Sequence, residues 1–279
     1  MKVSVLIENT TNSELICEHG LSLFIEHKGK KYLLDTGQSD AFMMNAKKMQ
    51  VPIQNVEYGV LSHGHYDHGG GFGTFFEENV SASVYAMRQI TEEYFSGSGG
   101  NIHYIGVPKD ILSKYEKRFV LMDSVVQIEE GVYLIPHNTK NLEKIGERTK
   151  LYRKKEGEMV PDDFSHELSL VFVTEKGLVI FNSCSHGGIQ NIIDEVKAVL
   201  PDEKIYAFFG GLHMKGKRNG EEICTFSQEE IKNLANYLKQ QNLQMLCTGH
   251  CTGKIGVEML KKELGCVVIP MFTGKEICL

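Results

Sequence analysis

The sequence predicts an α/β fold in which short buried strands alternate with amphipathic helices. Its 279 residues are an ordinary length for one large layered α/β domain. Apolar residues recur with period two in some segments and at helical spacing in others. Several strand-like segments end in a loop that carries histidine and then glycine before the next helix begins. We therefore predict one domain that spans residues 1–279.

The composition limits the classes of partner and the compartment. The net charge of −6 gives no reason to expect nucleic acid or an anionic membrane as a partner. No apolar run approaches the roughly 20 residues that a membrane span requires. The N-terminal segment lacks the apolar core and the small-residue cleavage site of a signal peptide. Seven cysteines without paired spacing favour a reducing compartment, so we expect a cytoplasmic protein.

The first half of the chain alternates predicted strands with predicted helices. Ser39 is placed to cap an amphipathic helix over residues 39–49, whose inward face carries Phe42 and Ala46. The glycine-rich residues 96–100 are predicted to form a flexible turn. They are not predicted to form a phosphate-binding loop, because the Lys-Ser/Thr ending of such a loop is missing. The predicted strands are 2–8, 21–27, 31–35, 57–62 and 80–86, and short helices are predicted from 69 to 76 and over 88–95.

A cluster of potential metal ligands follows the strand at residues 57–62, namely His63, His65, Asp67 and His68. In an extended chain residues i and i+2 point the same way, so the first two histidines can bind one ion, whereas Asp67 and His68 lie past the bend. Imidazole and carboxylate suit zinc, manganese or iron better than calcium. A solvated loop rarely places four ligands behind a buried strand, and a closed structural site is usually rich in cysteine. The cluster therefore indicates a functional metal site.

A charge-dense segment, residues 137–166, opens the second half and contains a basic run from Arg148 to Lys155. One interpretation of this segment is a solvated loop. The other is a lid or a substrate-binding insertion, since long loops in compact domains are often functional. Further along, Ser227 and Glu230 form a capping box at the start of a helix. The other predicted elements are strands at 119–122, 132–135, 168–174, 178–182, 204–209, 243–247 and 266–270, and helices at 108–117, at 227–240 and ending at 200 and 264.

Three of the late strands end in a loop that contains histidine, namely His186, His213 and His250. The α/β folds place their sites at the edge where such strands end. A single histidine at a strand end is commonly a satisfied core or loop residue. Three of them, together with the earlier cluster, indicate a site at this edge. His19 lies in the polar segment before the second strand and is interpreted as a loop residue.

The spacing His-x-His-x-Asp-His at residues 63–68 resembles the signature of the metallo-β-lactamase superfamily. Asp35 at a strand end and the late histidines extend the resemblance over nearly the whole chain. It implies a four-layer αβ/βα sandwich of two similar halves, with a two-metal site at the edge between them. Asp35 would accept a hydrogen bond that orients a ligand or the loop.

The resemblance also implies a ligand set. His63 and His65 would bind the first of two divalent metal ions, and Asp67, His68 and His250 the second. Zinc is the preferred ion, with manganese or iron as alternatives.

The sequence departs from the superfamily pattern at the ligands between the first cluster and the last histidine. The superfamily usually has a third histidine for the first metal and an aspartate that bridges the two metals. The position of the bridging aspartate falls near Cys184, and no aspartate is present there. His186 is the favoured ligand to the first metal, Cys184 is an alternative thiolate ligand because a metal would deprotonate it, and His166 is a weaker candidate. Binding of one ion and binding of two both stay open.

The function that the resemblance implies is that of a metallohydrolase. The metal would lower the pKa of a bound water to about 7, and the resulting hydroxide would attack an ester, lactone or phosphoester. Asp67 would orient this hydroxide and move its proton, and His213 would contact an oxyanion or phosphate. The motifs around the late histidines resemble a branch of the superfamily that includes an archaeal synthase joining a pterin to a phosphorylated ribosylaminobenzene. One alternative is therefore a transferase that joins a pterin-like group to a phosphorylated aromatic or ribosyl substrate. A second alternative is a metal-binding sensor without turnover.

Basic residues follow His213 in the sequence, namely Lys215, Lys217 and Arg218. Lysine and arginine are the usual partners of phosphate and carboxylate groups, although basic runs are also common on ordinary surfaces. We therefore expect a small anionic substrate that these side chains would bind.

Overall fold

The computed structural model describes residues 1–98 and 100–279, so Gly99 of the predicted glycine-rich turn lies outside the described residues. The chain divides into two compact units. Unit 1 comprises residues 1–124, 136–168 and 272–279, and unit 2 comprises residues 125–135 and 169–271. That residues 1–279 form one domain stays a prediction. Among the helices of the described residues, none is long and apolar enough to cross a membrane.

The described residues form twenty strands and eight α-helices. In chain order the strands are β1 (Lys2–Ile7), β2 (Ser22–His27), β3 (Lys30–Leu34), β4 (Tyr58–Val60), β5 (Ser83–Met87), β6 (Glu93–Ser96), β7 (His103–Tyr104), β8 (Phe119–Met122), β9 (Val126–Glu129), β10 (Val132–Pro136), β11 (Leu151–Lys155), β12 (Glu158–Pro161), β13 (Leu168–Thr174), β14 (Gly177–Phe181), β15 (Ile205–Phe209), β16 (Lys215–Arg218), β17 (Glu221–Cys224), β18 (Met245–Thr248), β19 (Val268–Pro270) and β20 (Glu276–Cys278). The helices are α1 (Ala41–Lys48), α2 (Tyr66–Gly69), α3 (Phe72–Glu78), α4 (Lys109–Lys114), α5 (Glu143–Thr149), α6 (Ile189–Val199), α7 (Gln228–Gln240) and α8 (Gly253–Leu264).

Unit 1 is built on a seven-stranded sheet with the order β20-β1-β2-β3-β4-β5-β8. The first four strands of this order pair antiparallel, and the last four run parallel. Helices α1 and α3 bury Phe42, Phe72 and Phe75 in one hydrophobic cluster with Leu33 and Val84 of the sheet. Strand β4 is short, and its last two residues are buried, as is usual for a strand between parallel neighbours. It leads directly into the histidine cluster.

Unit 2 contains a second seven-stranded sheet with the order β19-β18-β15-β14-β13-β10-β9. The four adjacent strands β14, β15, β18 and β19 run parallel to one another, and β14 pairs antiparallel with β13 on its other side. The amphipathic helices α6, α7 and α8 bury Ile193, Leu234 and Leu260 in one cluster with Phe208 and Leu246 of the sheet. Ser227 and Glu230 form the predicted capping box at the start of α7.

Two segments that the sequence predicts as a loop or lid and as a helix contain regular strands. Residues 137–166 contain α5 and the hairpin of β11 and β12, which joins β6 and β7 in a four-stranded sheet. Its strand pattern is hidden because a buried arginine, Arg153, interrupts the apolar alternation and pairs with Glu92 and Asp163 at 3.4 and 2.6 Å. The helix predicted over 88–95 is a 3₁₀ turn followed by β6. A role of residues 137–166 as lid or insertion stays a prediction.

The basic segment after His213 is a hairpin and not a loop. Lys217 faces Glu222 across the β16–β17 pair, and Arg218 faces Glu221. Lys215 Nζ lies 3.6 Å from Glu222 Oε2. Opposite charges on facing strands stabilise such a pair, and this cross-strand pattern cannot be recognised from the basic strand alone.

Candidate metal centre

The first cluster lies where β4 of unit 1 passes into α2. His65 has an extended backbone and caps α2, since its carbonyl accepts hydrogen bonds from the backbone N–H groups of His68 and Gly69 at 3.2 and 3.1 Å. The turn brings the ring of His68 to 4.2 Å from that of His63, while the His65 ring lies 4.6 Å from His63. His63, His65, Asp67 and His68 are all buried. Three imidazoles and one carboxylate therefore share one small volume.

Asp35 holds two of these imidazoles through its carboxylate. Its Oδ1 accepts the backbone N–H of Ser62 at 2.8 Å, and its Oδ2 accepts the Ser62 hydroxyl and His68 Nδ1 at 2.7 Å each. The Ser62 hydroxyl also lies 2.7 Å from His63 Nδ1. Because a carboxylate only accepts, His68 carries its proton on Nδ1, and the hydroxyl that donates to Asp35 accepts from His63 Nδ1. With Nδ1 held in this way, each ring would bind a metal through Nε2, and an outer partner at Nδ1 is the usual preparation of a metal ligand.

The electrostatics of this cluster favour a positive charge at His68. Burial alone would lower its pKa, but the charges and hydrogen bonds of Asp67 and Asp35 raise the pKa of His68 to about 10. His68 Nε2 lies 3.5 Å from Asp67 Oδ2, and the same two carboxylates would stabilise a metal cation placed there. Burial lowers the pKa of His65 to about 3, with the neighbouring His166 acting in the same direction, so His65 is a neutral imidazole. A neutral ring is the form that binds a metal.

His166, a weaker ligand candidate, has both ring nitrogens engaged. Its Nδ1 accepts the backbone N–H of Gly64 at 2.8 Å, and its Nε2 lies 3.1 Å from Asp162 Oδ2. Both residues of this pair are fully buried. Burial opposes the charged form of Asp162, but its interaction with His166 outweighs burial and holds the pKa of Asp162 below its ordinary value. His166 therefore holds the backbone between His63 and His65 in place, and this role was missed because its partner lies 102 residues away.

Replacing His166 by alanine is expected to destabilise the protein by about 2–4 kcal/mol, because it leaves a buried carboxylate and a buried N–H without this partner. Urea unfolding measures the change, with His103→Ala as the control, since His103 is exposed on β7. The lowered pKa of Asp162 contributes stability above its unfolded value of about 3.9, and this contribution is lost as pH falls through that region. The variant should therefore lose less stability than the parent on acidification. Equal stability of the two variants would contradict this role.

His19 is a loop residue, as interpreted from the sequence, and its loop lies beside the unit 1 cluster. Its Nε2 is 3.3 Å from Asp67 Oδ2, and its side chain is about half exposed. The neighbouring Gly20 packs against the backbone of Asp67 so closely that a Cβ there would lie 2.4 Å from the Asp67 carbonyl oxygen. Glycine is needed at position 20 because only a residue without a Cβ lets the two backbones approach so closely. The sequence alone does not indicate this contact, since a Glu-His-Gly triplet in a polar segment is typical of an ordinary loop.

The second cluster lies in unit 2, where three parallel strands end. β14 leads to Cys184 and His186, β15 leads to His213, and β18 leads to His250 and its neighbour Cys251. Because these strands pair in parallel, their carboxyl ends lie at one edge of this sheet. The rings of His186 and His213 are 4.4 Å apart. The Sγ atoms of Cys184 and Cys251 and a ring nitrogen of His250 all lie within 4.8 Å of one another.

The backbone carries strain at these strand ends. Ser185, His213 and His250 have φ values of 52°, 48° and 49°, and Asp35 in unit 1 has a φ of 58°. Left-handed conformations cost free energy in residues with a Cβ and occur preferentially at functional sites. His213 Nδ1 and Ser185 Oγ are buried polar atoms without a hydrogen-bond partner among the described residues. Unsatisfied buried groups of this kind are available to a ligand or substrate.

The donor chemistry of each cluster fits a divalent ion of the zinc type. Unit 1 offers imidazole nitrogens and a carboxylate, and unit 2 offers imidazole nitrogens and sulfur. Calcium and magnesium prefer oxygen ligands, so either cluster would bind them weakly. The assignment of His63, His65, Asp67, His68, His186 and His250 as ligands stays a prediction.

Comparison with known proteins places these observations in a family context. The model of the metallo-beta-lactamase superfamily matches residues 15–140. The chain is 30% identical to 7,8-dihydropterin-6-methyl-4-(beta-D-ribofuranosyl)-aminobenzene-5'-phosphate synthase of Methanocaldococcus jannaschii, over 94% of this chain and 91% of that protein. An uncharacterized protein of the same organism is 26% identical over 90% of each chain.

Similarity to solved structures extends over the whole chain. The crystal structure of Tm1679, a metal-dependent hydrolase of the beta-lactamase superfamily, matches with a TM-score of 0.81 and 25% identity, covering 100% of this chain and 99% of that one. The match confirms the fold class that the sequence motifs predict.

Proposed function

The chain belongs to the metallo-β-lactamase superfamily, in the branch of the Methanocaldococcus synthase, and from this premise we propose that it is a metal-dependent enzyme that hydrolyses a small anionic ester, lactone or phosphoester. The observation that carries the proposal is the buried cluster of His63, His65, Asp67 and His68 around the carboxylate of Asp35. Burying three imidazoles and a carboxylate together is costly, and a structural role alone does not account for it.

The chain's own residues would divide the work of catalysis between them. A divalent ion bound at such a site acts as a Lewis acid and lowers the pKa of a bound water to about 7. Asp35 and Ser62 hold His68 and His63 in one orientation, so that little reorganisation is needed during the reaction. Asp67 would orient the attacking water and take its proton on Oδ2, the atom 3.3 Å from His19 Nε2. In unit 2, His213 Nδ1 is buried without a hydrogen-bond partner among the described residues, and it would donate to an oxyanion or phosphate oxygen.

A transferase is the second candidate, and one specific observation favours it. The relative with 30% identity is named a synthase of a pterin-containing aminobenzene phosphate, and the match covers 94% of this chain. The same residues could orient a pterin-like group and a phosphorylated aromatic or ribosyl substrate. Fold similarity by itself does not separate the two reactions, because one scaffold hosts several chemistries.

The test is a pair of substrate panels assayed on the purified metal-loaded protein with and without chelator. One panel contains phosphoesters, lactones and carboxylic esters, and the other contains dihydropterin derivatives with phosphorylated ribosylaminobenzene acceptors, with products identified by mass spectrometry. Chelator-sensitive turnover of the first panel supports the hydrolase. A coupled product without hydrolysis supports the transferase. Metal binding without turnover on either panel would overturn both in favour of a sensor.

The basic hairpin gives a prediction about substrate charge. Lys217 and Arg218 are exposed on β16, and acidic residues on β17 face them. If they steer an anionic substrate, Lys217→Ala and Arg218→Ala should each lower kcat/KM a few-fold at low salt and reduce its salt dependence. Lys239→Ala on α7 is the control. Salt-insensitive kinetics in the parent, with unchanged values in both variants, would rule out this hairpin as an anion site.

A further inference from the structure

Cys251 is a buried thiol that the ligand pattern of the superfamily signature does not include. It follows His250 in the chain, and its Sγ, the Sγ of Cys184 and a ring nitrogen of His250 lie within 4.8 Å of one another. Zinc–sulfur bonds of about 2.3 Å in a tetrahedral site place two sulfurs about 3.8 Å apart. A side-chain adjustment of at most about 1 Å would therefore bring the three donor atoms to one ion. All three side chains are buried.

The loop after β15 is built around the sulfur of Cys251. The backbone N–H of His213 donates to Cys251 Sγ at 3.3 Å, and the left-handed backbone of His213 sets the orientation of this N–H. A Cβ at Gly211 would lie 2.3 Å from the same sulfur, so only glycine leaves room for it. The adjacent N–H of Leu212 donates to Thr252 Oγ1 at 2.9 Å, which anchors the loop. Outer partners that orient a donor atom in this way are typical of metal ligands.

An alternative interpretation is that Cys184 and Cys251 are only small apolar core residues, as free cysteines often are. Their surroundings do not fit this interpretation. The cluster contains an imidazole. Ser185, which follows Cys184 in the chain, and His213, whose backbone N–H donates to Cys251 Sγ, each have a buried side-chain atom without a hydrogen-bond partner among the described residues. By contrast, Cys247 lies within β18 and belongs to none of the potential metal-binding groups found among the described residues.

We propose that Cys251 is a metal ligand and that, together with Cys184 and His250, it forms a Cys₂His site in unit 2 for a soft or borderline divalent ion. Three protein ligands leave one position open, as catalytic zinc sites do. Two sulfur donors select zinc, cobalt or iron over manganese and magnesium. The inference rests on the proposed metal dependence, and it adds a sulfur donor and a metal preference.

Cobalt(II) titration of the metal-free protein under a phosphine reductant tests this site. Cobalt bound to thiolate gives an intense near-ultraviolet charge-transfer band, and nitrogen and oxygen ligands do not. The parent should show the band. Cys184→Ser and Cys251→Ser should each reduce it by about half, and the double variant should lose it, because each thiolate contributes one sulfur–metal bond. Cys247→Ala, at a buried thiol, and Cys266→Ser, at an exposed one, should retain it in full.

A second measurement needs no variant. Alkylation of the unaltered protein, followed by peptide mass spectrometry, should show that zinc protects Cys184 and Cys251 and leaves the labelling of exposed Cys17, Cys266 and Cys278 unchanged. This keeps the proposal testable if a serine variant does not fold.

Two results would overturn the sulfur site. One is stoichiometric cobalt binding by the parent without the near-ultraviolet band, and the other is a band of full intensity in Cys251→Ser. Failure of the proposed function looks different, since the band would then be present while neither substrate panel is turned over.

Discussion

Asp35→Ala is expected to destabilise the protein by about 3–5 kcal/mol, because it removes the acceptor of three buried donors. The donors are the backbone N–H and hydroxyl of Ser62 and the Nδ1–H of His68. The lost orientation of His68 and His63 should also weaken metal binding by about 10–100-fold, the usual effect of removing an outer partner of a ligand.

Asp35→Asn separates the two effects. Asparagine tolerates the left-handed backbone at this position and keeps one oxygen as an acceptor, so most of the stability should remain. Its amide group cannot replace both carboxylate oxygens, so metal affinity should still fall. Urea unfolding and metal titration are the measurements. Asp123→Ala is the control, since this exposed carboxylate pairs with Arg88 and should contribute less than about 1 kcal/mol. Parent-like affinity in both Asp35 variants would refute the orienting role.

Asp67→Ala and His65→Ala are expected to reduce turnover of the best substrate by at least about 100-fold, the scale of a lost acid–base or ligand group. They should do so for different reasons. His65 lies before the turn with His63, and Asp67 lies after it beside His68. If these pairs hold different ions, each variant should lose a different equivalent of metal, and the double variant should lose both.

Elemental analysis after dialysis measures the bound metal, and kcat and KM are measured on the same samples. Asp67→Asn adds a further distinction, because it keeps the shape of the side chain but removes the proton acceptor. His103→Ala, at an exposed histidine of unit 1, should change neither quantity. Unchanged metal content in both His65→Ala and Asp67→Ala would contradict the assignment of these residues as metal ligands.

The sequence by itself determined the family, the fold class and the first cluster of candidate residues. These features are encoded locally, since the spacing of His63, His65, Asp67 and His68 and the apolar period of the flanking segments can be recognised within about twenty residues. Ser227 with Glu230 is a similar case, because a capping box consists of neighbours in the chain. Polar strands were harder to recognise, since Arg153 interrupts the apolar pattern of β11 and its acidic partners lie on other segments.

The tertiary structure alone decided which polar atoms meet. Asp35 contacts Ser62 and His68 across about thirty residues, His166 holds Gly64 from 102 residues away, and Cys251 lies beside Cys184, 67 residues earlier in the chain. These contacts set which nitrogen of a histidine carries the proton, which carboxylates stabilise a cation and which sulfur faces an imidazole. No periodic pattern or fixed spacing in the sequence indicates these contacts. A hydrogen bond depends on the positions of two atoms after folding and not on their separation along the chain.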